Sequence, residues 1–529
     1  MIKDRNKVVV IGAGLAGLAS AARLAHAGFG VTVLEAHGHL GGKMRTLPSP
    51  AGPVDTGPTV MTMKPVFDAL FADLGQRLED HVTLIPEQIL ARHYWRDGSC
   101  FDLMADPEAT AENILAWGGP RAQSDYLAYA KKAKTLFEAF DAPMMQAASP
   151  SVTELALAAL RSPQTLTSLL PLATMSRSLV ASFKDARLRQ LFGRYATYVG
   201  GSPYQSPALL SLISHSEAKG VWRIKGGMSQ LAQALGTLAE TQGTDIRLNT
   251  GVARIETQSG SITGVVTQEG QRIPAAWVIH AGDPKALHDG LLGQTAQPQV
   301  PTKAISPRAL SACVYAFAAK PHGPELAHHT VFFGEDPKTE FGPLARGEMP
   351  QDPTLYICAQ DRGEGQSGMD SPSGLERFEI IMNAPPTPNL HVSPQETAQC
   401  QTTVFETLAK SNMTFRPEPI PQESLTMPAG FAAMFPGSNG SLYGKSPHGM
   451  TSALTRPRAR TKLPGLYLTG GGTHPGAGIP MVVLSAKHVA EAILTDRTSR
   501  WRSTPTAMPG GTSTASAPMA NAPSPSSPS

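Results

Sequence analysis

The sequence predicts an α/β protein: a Rossmann-like parallel-sheet domain interrupted by an inserted α+β domain. Three observations predict it. Residues 7–36 read as strand, glycine turn, helix, strand and acid. Residues 221–280 open with another glycine turn and helix, then give alternating and buried strands. Residues 465–494 run a glycine-rich loop straight into an amphipathic helix. At 529 residues the chain is too long for one core, so two domains are expected.

The first piece is KVVVIGAGLAGLASAARLAHAGFGVTVLEA, Lys7 to Ala36. Val8–Ile11 is a β-branched apolar run, the pattern of a buried parallel strand. Gly12, Gly14 and Gly17 follow in GxGxxG spacing. Leu15–Ala27 has helical spacing, Gly28 stops it, and Val31–Leu34 is a second strand. Glu35 stands 18 residues after Gly17, with Ala36 beside it.

Each residue type has a physical task. Gly12 permits a tight turn, Gly14 lets backbone approach a pyrophosphate, and Gly17 lets helix and strand pack closely. The helix start at Leu15 and Ala16 offers free N–H groups and a partial positive charge to phosphates. Glu35 can accept both ribose hydroxyls of an adenosine, and its charge repels a 2′-phosphate. The alternative is a coincidental glycine turn. The joint spacing of strand, helix, second strand and acid favours a dinucleotide site.

HLGGKMRT follows, in which Gly41, Gly42 and Lys43 extend the phosphate cradle with a cation; the alternative is an ordinary turn. PVDTGPTV brings Asp55, Gly57, Pro58 and Thr59. The C-terminal loop holds Gly470, Gly471, Gly472, Gly476 and Gly478, too many for a mere connector. Ile479, Pro480 and Met481 open the helix to Leu494, and proline suits a first helical turn.

These pieces predict a discontinuous nucleotide domain of residues 1–72, 216–289 and 430–495. Residues 73–215 and 290–429 remain for the substrate domain, expected as a sheet with helices. Within 245–274 the alternating Ile246/Leu248, Val252/Ile255 and Ile262/Val265 pattern predicts a strand meander. Residues 503–529 are Ser, Pro, Ala, Gly and Thr-rich, so a disordered tail is expected.

A net charge of +3 argues against a nucleic-acid binder. Cys100, Cys313, Cys358 and Cys400 lack CxxC spacing, which suits a reduced, cytoplasmic chain without a zinc site or other metal. No signal peptide and no run of about 18 apolar residues is seen. Residues 155–184 stand apart: many Leu and Ala, no acid, and the basic Arg161, Arg177 and Lys184. They read either as a buried helical pair or as helices dipping into an anionic membrane.

The quoted segments, with WRIKGGMSQLAQAL and GLYLTGGGTHPGAGIP, together resemble bacterial carotenoid desaturases of the phytoene-desaturase type. GPTVMTM and GAGIPM resemble the 1-hydroxycarotenoid 3,4-desaturase branch most. The resemblance implies an amine-oxidase/glutathione-reductase-like FAD domain. It implies that Gly57–Thr59 pass beside the flavin, that Val252 meets adenine, and that Gly470–Pro480 wrap the flavin. Gly472 departs from the wider amine-oxidase superfamily, which carries an acid there.

The implied substrate is an acyclic C40 carotenoid drawn from the bilayer at the inner face of the cell membrane. The implied reaction is a two-electron C–C dehydrogenation, with oxygen or a quinone as final acceptor. Phytoene desaturase, carotene isomerase, amine oxidase and a non-enzymatic prenyl-lipid binder are the rival readings. No base stands out. His474 reads as a base or a loop-ordering residue, and Asp55 more as structural than catalytic. Met61, Met63 and Met481 read as tunnel fillers or as plain core.

Overall fold

This computed structural model describes residues 6–161, 163–169, 173–363 and 374–502. The first piece folds as β1 (Lys7–Ile11), α1 (Leu15–His26) and β2 (Gly30–Leu34). Val8–Val10 are buried on both faces of β1, as their unbroken apolar run requires. β1 and β2 are central strands of a five-stranded parallel sheet. Its order is Asp245–Arg247, β2, β1, Trp277–His280, Leu466–Leu468. One sheet therefore draws strands from all three distant pieces.

α1 packs between helix Ser229–Thr241 and the C-terminal helix Ile479–Arg502. Leu18, Ala21, Ala22 and Leu24 are wholly buried in that layer. The approach is close: a Cβ on Gly17 would fall on the carbonyl oxygen of Gly12. Any side chain there would push α1 off the sheet.

Two sequence expectations change. Asp245–Arg247 does not join the meander; it is the parallel edge strand beside β2. Helix Ser229–Thr241 returns the chain to the sheet edge, so this strand completes a crossover rather than a hairpin. The meander proper is Val252–Gln258, Ser261–Thr267 and Arg272–Pro274. The C-terminal helix also runs past Leu494 to Arg502. The expected disordered tail, 503–529, lies outside the described residues.

The second body is an eight-stranded sheet. Ile89–Tyr94 and Cys100–Met104 come from the first insertion, and the remaining strands, from Ser311–His322 to Leu425–Thr426, from the second. Phe317, Phe378, Ile380 and Phe415 fill one layer of its core. A second layer joins Trp95, from the hairpin between the first two strands, to Phe183, Phe192 and Tyr195 of the helical part of the first insertion.

Residues 152–169 form two short helices, Val152–Leu160 and Pro163–Leu169, the second opened by Pro163. They are not a buried pair. Leu157 and Leu160 are 55% and 66% exposed, and Val152 and Leu166 are exposed too. Pro171 lies outside the described residues. No helix among the described residues is long and apolar enough to cross a membrane.

Candidate active site

The glycine turn, the first acid and the second glycine pair converge at the C-terminal end of β1 and β2. Gly14 begins α1 without any side-chain cap, and α1 has no acid in its first turn. The N–H groups of Leu15, Ala16 and Gly17 thus face outward under the helix dipole, the arrangement that binds phosphate. The Gly41 N–H donates to the Ala13 carbonyl at 2.9 Å. Gly42 lies against Gly14, so a Cβ on Gly42 would come within 3.3 Å of the Gly14 Cα. The two glycine pairs form one backbone cradle.

Glu35 is buried and held at both oxygens. Oε2 accepts from the Ala13 N–H at 2.6 Å and Oε1 from the His37 N–H at 2.9 Å. Each carboxylate oxygen retains a lone pair for a ribose hydroxyl. The Glu35 carbonyl accepts from the Thr250 N–H at 2.7 Å, which brings Val252 and its strand alongside; Ala36 continues the turn. A dinucleotide fits these residues: an acidic acceptor, an uncapped helix start and a side-chain-free cradle.

Lys43 is enclosed and donates its Nζ to the Leu442 carbonyl at 2.6 Å. Burial lowers its pKa to about 8, against the opposing pull of Asp283. Gly57 crosses so close to Lys43 that a Cβ would fall on the Lys43 carbonyl oxygen. Its N–H donates to Glu379 Oε1 at 2.7 Å. Pro58 and Thr59 follow, and Thr59 Oγ1 shares a 2.7 Å hydrogen bond with the Tyr356 hydroxyl.

The C-terminal glycines close over Ala16 and Ala281. A Cβ on Gly470 would lie 3.2 Å from the Ala281 carbonyl oxygen and 3.9 Å from the Ala16 Cβ. Gly471 accepts from Arg456 Nη1 at 2.9 Å. Arg456 also donates to the carbonyls of Lys445 and Tyr443, at 2.7 and 3.2 Å. One buried guanidinium thus ties the glycine loop to segment 443–445. Ile479, Pro480 and Met481 form the first turn of the helix after it. Gly472 must be glycine here because a Cβ would strike the Pro284 ring. That leaves no room for the acid of the wider superfamily.

The weak acid–base candidates are structurally engaged. Asp55 accepts from the N–H groups of Met228 and Ser229, at 2.5 and 3.3 Å, just where helix Ser229–Thr241 starts. It acts as a cap. His474 Nε2 bonds the Ala147 carbonyl at 2.8 Å, and its ring stacks on His488. Burial lowers the His474 pKa to about 4, so it is neutral at physiological pH. Met61 is wholly buried in the nucleotide-domain core and fills no tunnel, whereas Met63 and Met481 are only partly buried at that core's edge.

Four residues had no sequence signal. Glu379, fully buried, holds Gly57, and burial raises its carboxyl well above the ordinary range. His329 and Tyr356 link to Thr59 through the Tyr356 hydroxyl, and Arg194 opens a helical turn of the first insertion. His328, His329 and Cys358 also bring ligand-type atoms within 4.8 Å of one another. All but Arg194 lie on the second insertion but on different strands or loops of it, so no local spacing linked them.

The chain is similar to several known proteins. Hydroxyneurosporene desaturase of Cereibacter sphaeroides is 53% identical over 497 residues, spanning 94% of this chain and 99% of that one. The 1-hydroxycarotenoid 3,4-desaturase of a Flavobacterium species is 29% identical over 92% of this chain and 99% of that one. Among solved structures, cyclohexylamine oxidase from Brevibacterium oxydans matches with a TM-score of 0.54 at 18% identity, covering 93% of this chain and 99% of that one. The family of flavin containing amine oxidoreductases matches residues 15–494, and with the cradle, the acid and the closing glycine loop in place, the chain belongs to that family.

Proposed function

We propose that the protein is an FAD-dependent carotenoid desaturase that introduces a C3–C4 double bond into acyclic 1-hydroxycarotenoids. The observation that carries this reading is the 53% identity, along nearly the whole chain, to a hydroxyneurosporene desaturase. Glu35, the start of α1 and the Gly41–Gly42 pair would hold the adenosine and pyrophosphate. Gly57–Thr59 and Gly470–Met481 would flank the ring. Bound FAD supplies the two-electron acceptor for the dehydrogenation.

The chain's own part is orientation and exclusion of water. The positive end of helix Ile479–Arg502 favours negative charge gathered at the ring. Asp55 and His474 are committed to backbone partners, so neither serves as a dedicated base. A polyene spreads the positive charge left when hydride departs, which lowers the demand for one.

The substrate is insoluble in water, so the enzyme would work at a bilayer. The exposed Val152, Leu157, Leu160 and Leu166, with exposed Arg161, Arg177 and Lys184 nearby, suit peripheral binding to the anionic cytoplasmic leaflet. Electrons would leave to oxygen or a membrane quinone. The test is product analysis with FAD, an acceptor, and either 1-hydroxyneurosporene or phytoene. A new double bond in the hydroxycarotenoid is expected. Conversion of phytoene alone would overturn the substrate assignment, and a purified protein without a flavin spectrum would overturn the enzyme assignment.

A further inference from the structure

Three buried side chains that no sequence spacing joins meet in the second sheet: His328, His329 and Cys358. His329 opens strand His329–Phe332 and is the register partner of Cys358 on the neighbouring strand Leu355–Ala359. His328 stands one residue earlier, its ring edge-on to that of His329 with centroids 4.6 Å apart. One ring nitrogen of each histidine and the Cys358 sulfur all lie within 4.8 Å of one another.

The spacing is that of ligands around an ion. His328 Nε2 lies 3.6 Å from Cys358 Sγ. Zinc–sulfur and zinc–nitrogen bonds of about 2.3 and 2.0–2.1 Å, at tetrahedral angles, put sulfur and nitrogen about 3.5 Å apart. The protein also supplies the outer partners that ligating imidazoles use. His328 Nδ1 donates to the Arg362 carbonyl at 2.7 Å, which fixes the tautomer and leaves a lone pair on Nε2, the atom beside the sulfur. His329 Nδ1 shares a 2.7 Å hydrogen bond with the Tyr356 hydroxyl, while its Nε2 is buried without a partner. A thiol hydrogen bond alone would account for the His328–Cys358 contact and leave the His329 nitrogen idle. Charge fits as well. The register partner of Cys358 on its other side is Glu379, whose Oε2 is also buried without a partner. A divalent ion on one thiolate keeps one positive charge, which a carboxylate on the same face of the sheet offsets.

We infer that His328, His329 and Cys358 bind a thiophilic transition-metal ion, and that this ion is zinc. Two imidazoles and a thiolate suit zinc and not magnesium or calcium, which take oxygen ligands. Binding takes Cys358 as the thiolate and releases its proton to solvent. The ion braces the neighbouring segment rather than reacting. His329 reaches Thr59 through the Tyr356 hydroxyl, and Glu379 holds the Gly57 N–H, so the site fixes Gly57–Thr59 from the sheet. The inference does not depend on the proposed substrate.

The test uses the full-length, untagged protein with FAD bound, produced in zinc-supplemented medium. Mass spectrometry should find about one zinc per chain. Cys358→Ala and His329→Gln should each weaken zinc binding by about 100-fold or more. Tyr356→Phe, which removes only an outer partner, should weaken it by about 10-fold. Cys100→Ser, at an exposed cysteine, should leave it unchanged. Cobalt(II) in place of zinc should give a thiolate-to-cobalt charge-transfer band that Cys358→Ala abolishes. Should the ligand variants lose their flavin, X-ray absorption on zinc-loaded wild type decides, because it needs no variant: a shell of sulfur and imidazole nitrogen is expected. Protein that holds no zinc, a metal shell without sulfur, or zinc held equally by a folded Cys358→Ala overturns the site and leaves the proposed activity standing.

Discussion

Glu35→Ala removes one carboxylate that does two jobs. In the protein it accepts the N–H groups of Ala13 and His37, at 2.6 and 2.9 Å. Toward the cofactor it would accept two ribose hydroxyls. A hydrogen bond to a charged group contributes roughly 1.5–3 kcal/mol, so losing both ribose contacts weakens FAD by about 3–6 kcal/mol, or on the order of 10²–10⁴ in Kd. The freed N–H groups sit in a buried turn, and leaving them unmet destabilises the apoprotein by about 1–3 kcal/mol. Glu35→Gln keeps one acceptor and should fall between, at about 10–100-fold in Kd. The assay is titration of apoprotein with FAD, followed by the quenching of flavin fluorescence, with thermal unfolding measured in parallel. A folded Glu35→Ala protein binding FAD within about threefold of wild type would refute the assignment of Glu35 as the ribose acceptor.

Asp55→Ala should destabilise the protein by about 1–2 kcal/mol through loss of the helix cap. Asp55→Asn should keep its turnover per bound flavin, measured by single-turnover reduction; a 100-fold slower step, on the order of 2.7 kcal/mol, would make Asp55 catalytic after all. Burial holds His328 and His474 neutral, each with a pKa near 4 against 6.5 unfolded. Their folded values lie below the unfolded one, so the stability they contribute is full above pH 6.5 and is lost as pH falls towards 4. Urea unfolding across that window should show the decline, and His474→Gln should lessen it by the His474 share; an unchanged slope would contradict the neutral assignment. Leu157→Asp with Leu160→Asp should release the protein from anionic liposomes with flavin content intact, and unchanged flotation would remove these helices from the membrane contact.

The nucleotide half was legible because its chemistry is local. Three glycines, an uncapped helix start and an acid sit within 24 residues, and each sets a backbone feature where it stands (Gly12 to Glu35). The C-terminal glycine loop was legible for the same reason: close backbone approach excludes side chains whatever the partner. The edge strand Asp245–Arg247 was misread because alternation alone does not tell a hairpin from a crossover, and the deciding fact is its pairing to β2. The exposed leucines at 157 and 160 share the composition of a buried helix, so only packing could place them outside.

By itself, then, the sequence determined the glycine turns, the acid that follows the first of them, and the family. Those rest on short-range backbone geometry and on motifs that read along the chain. The tertiary structure alone decided what Asp55 and His474 do, since their partners Met228 and Ala147 are far away in sequence. It alone paired Arg194 with Tyr198, and His329 with Tyr356. Hydrogen-bond partnership and burial are properties of neighbours in space, and in a protein whose second domain is threaded through the first, those neighbours come from chain segments that no spacing rule connects.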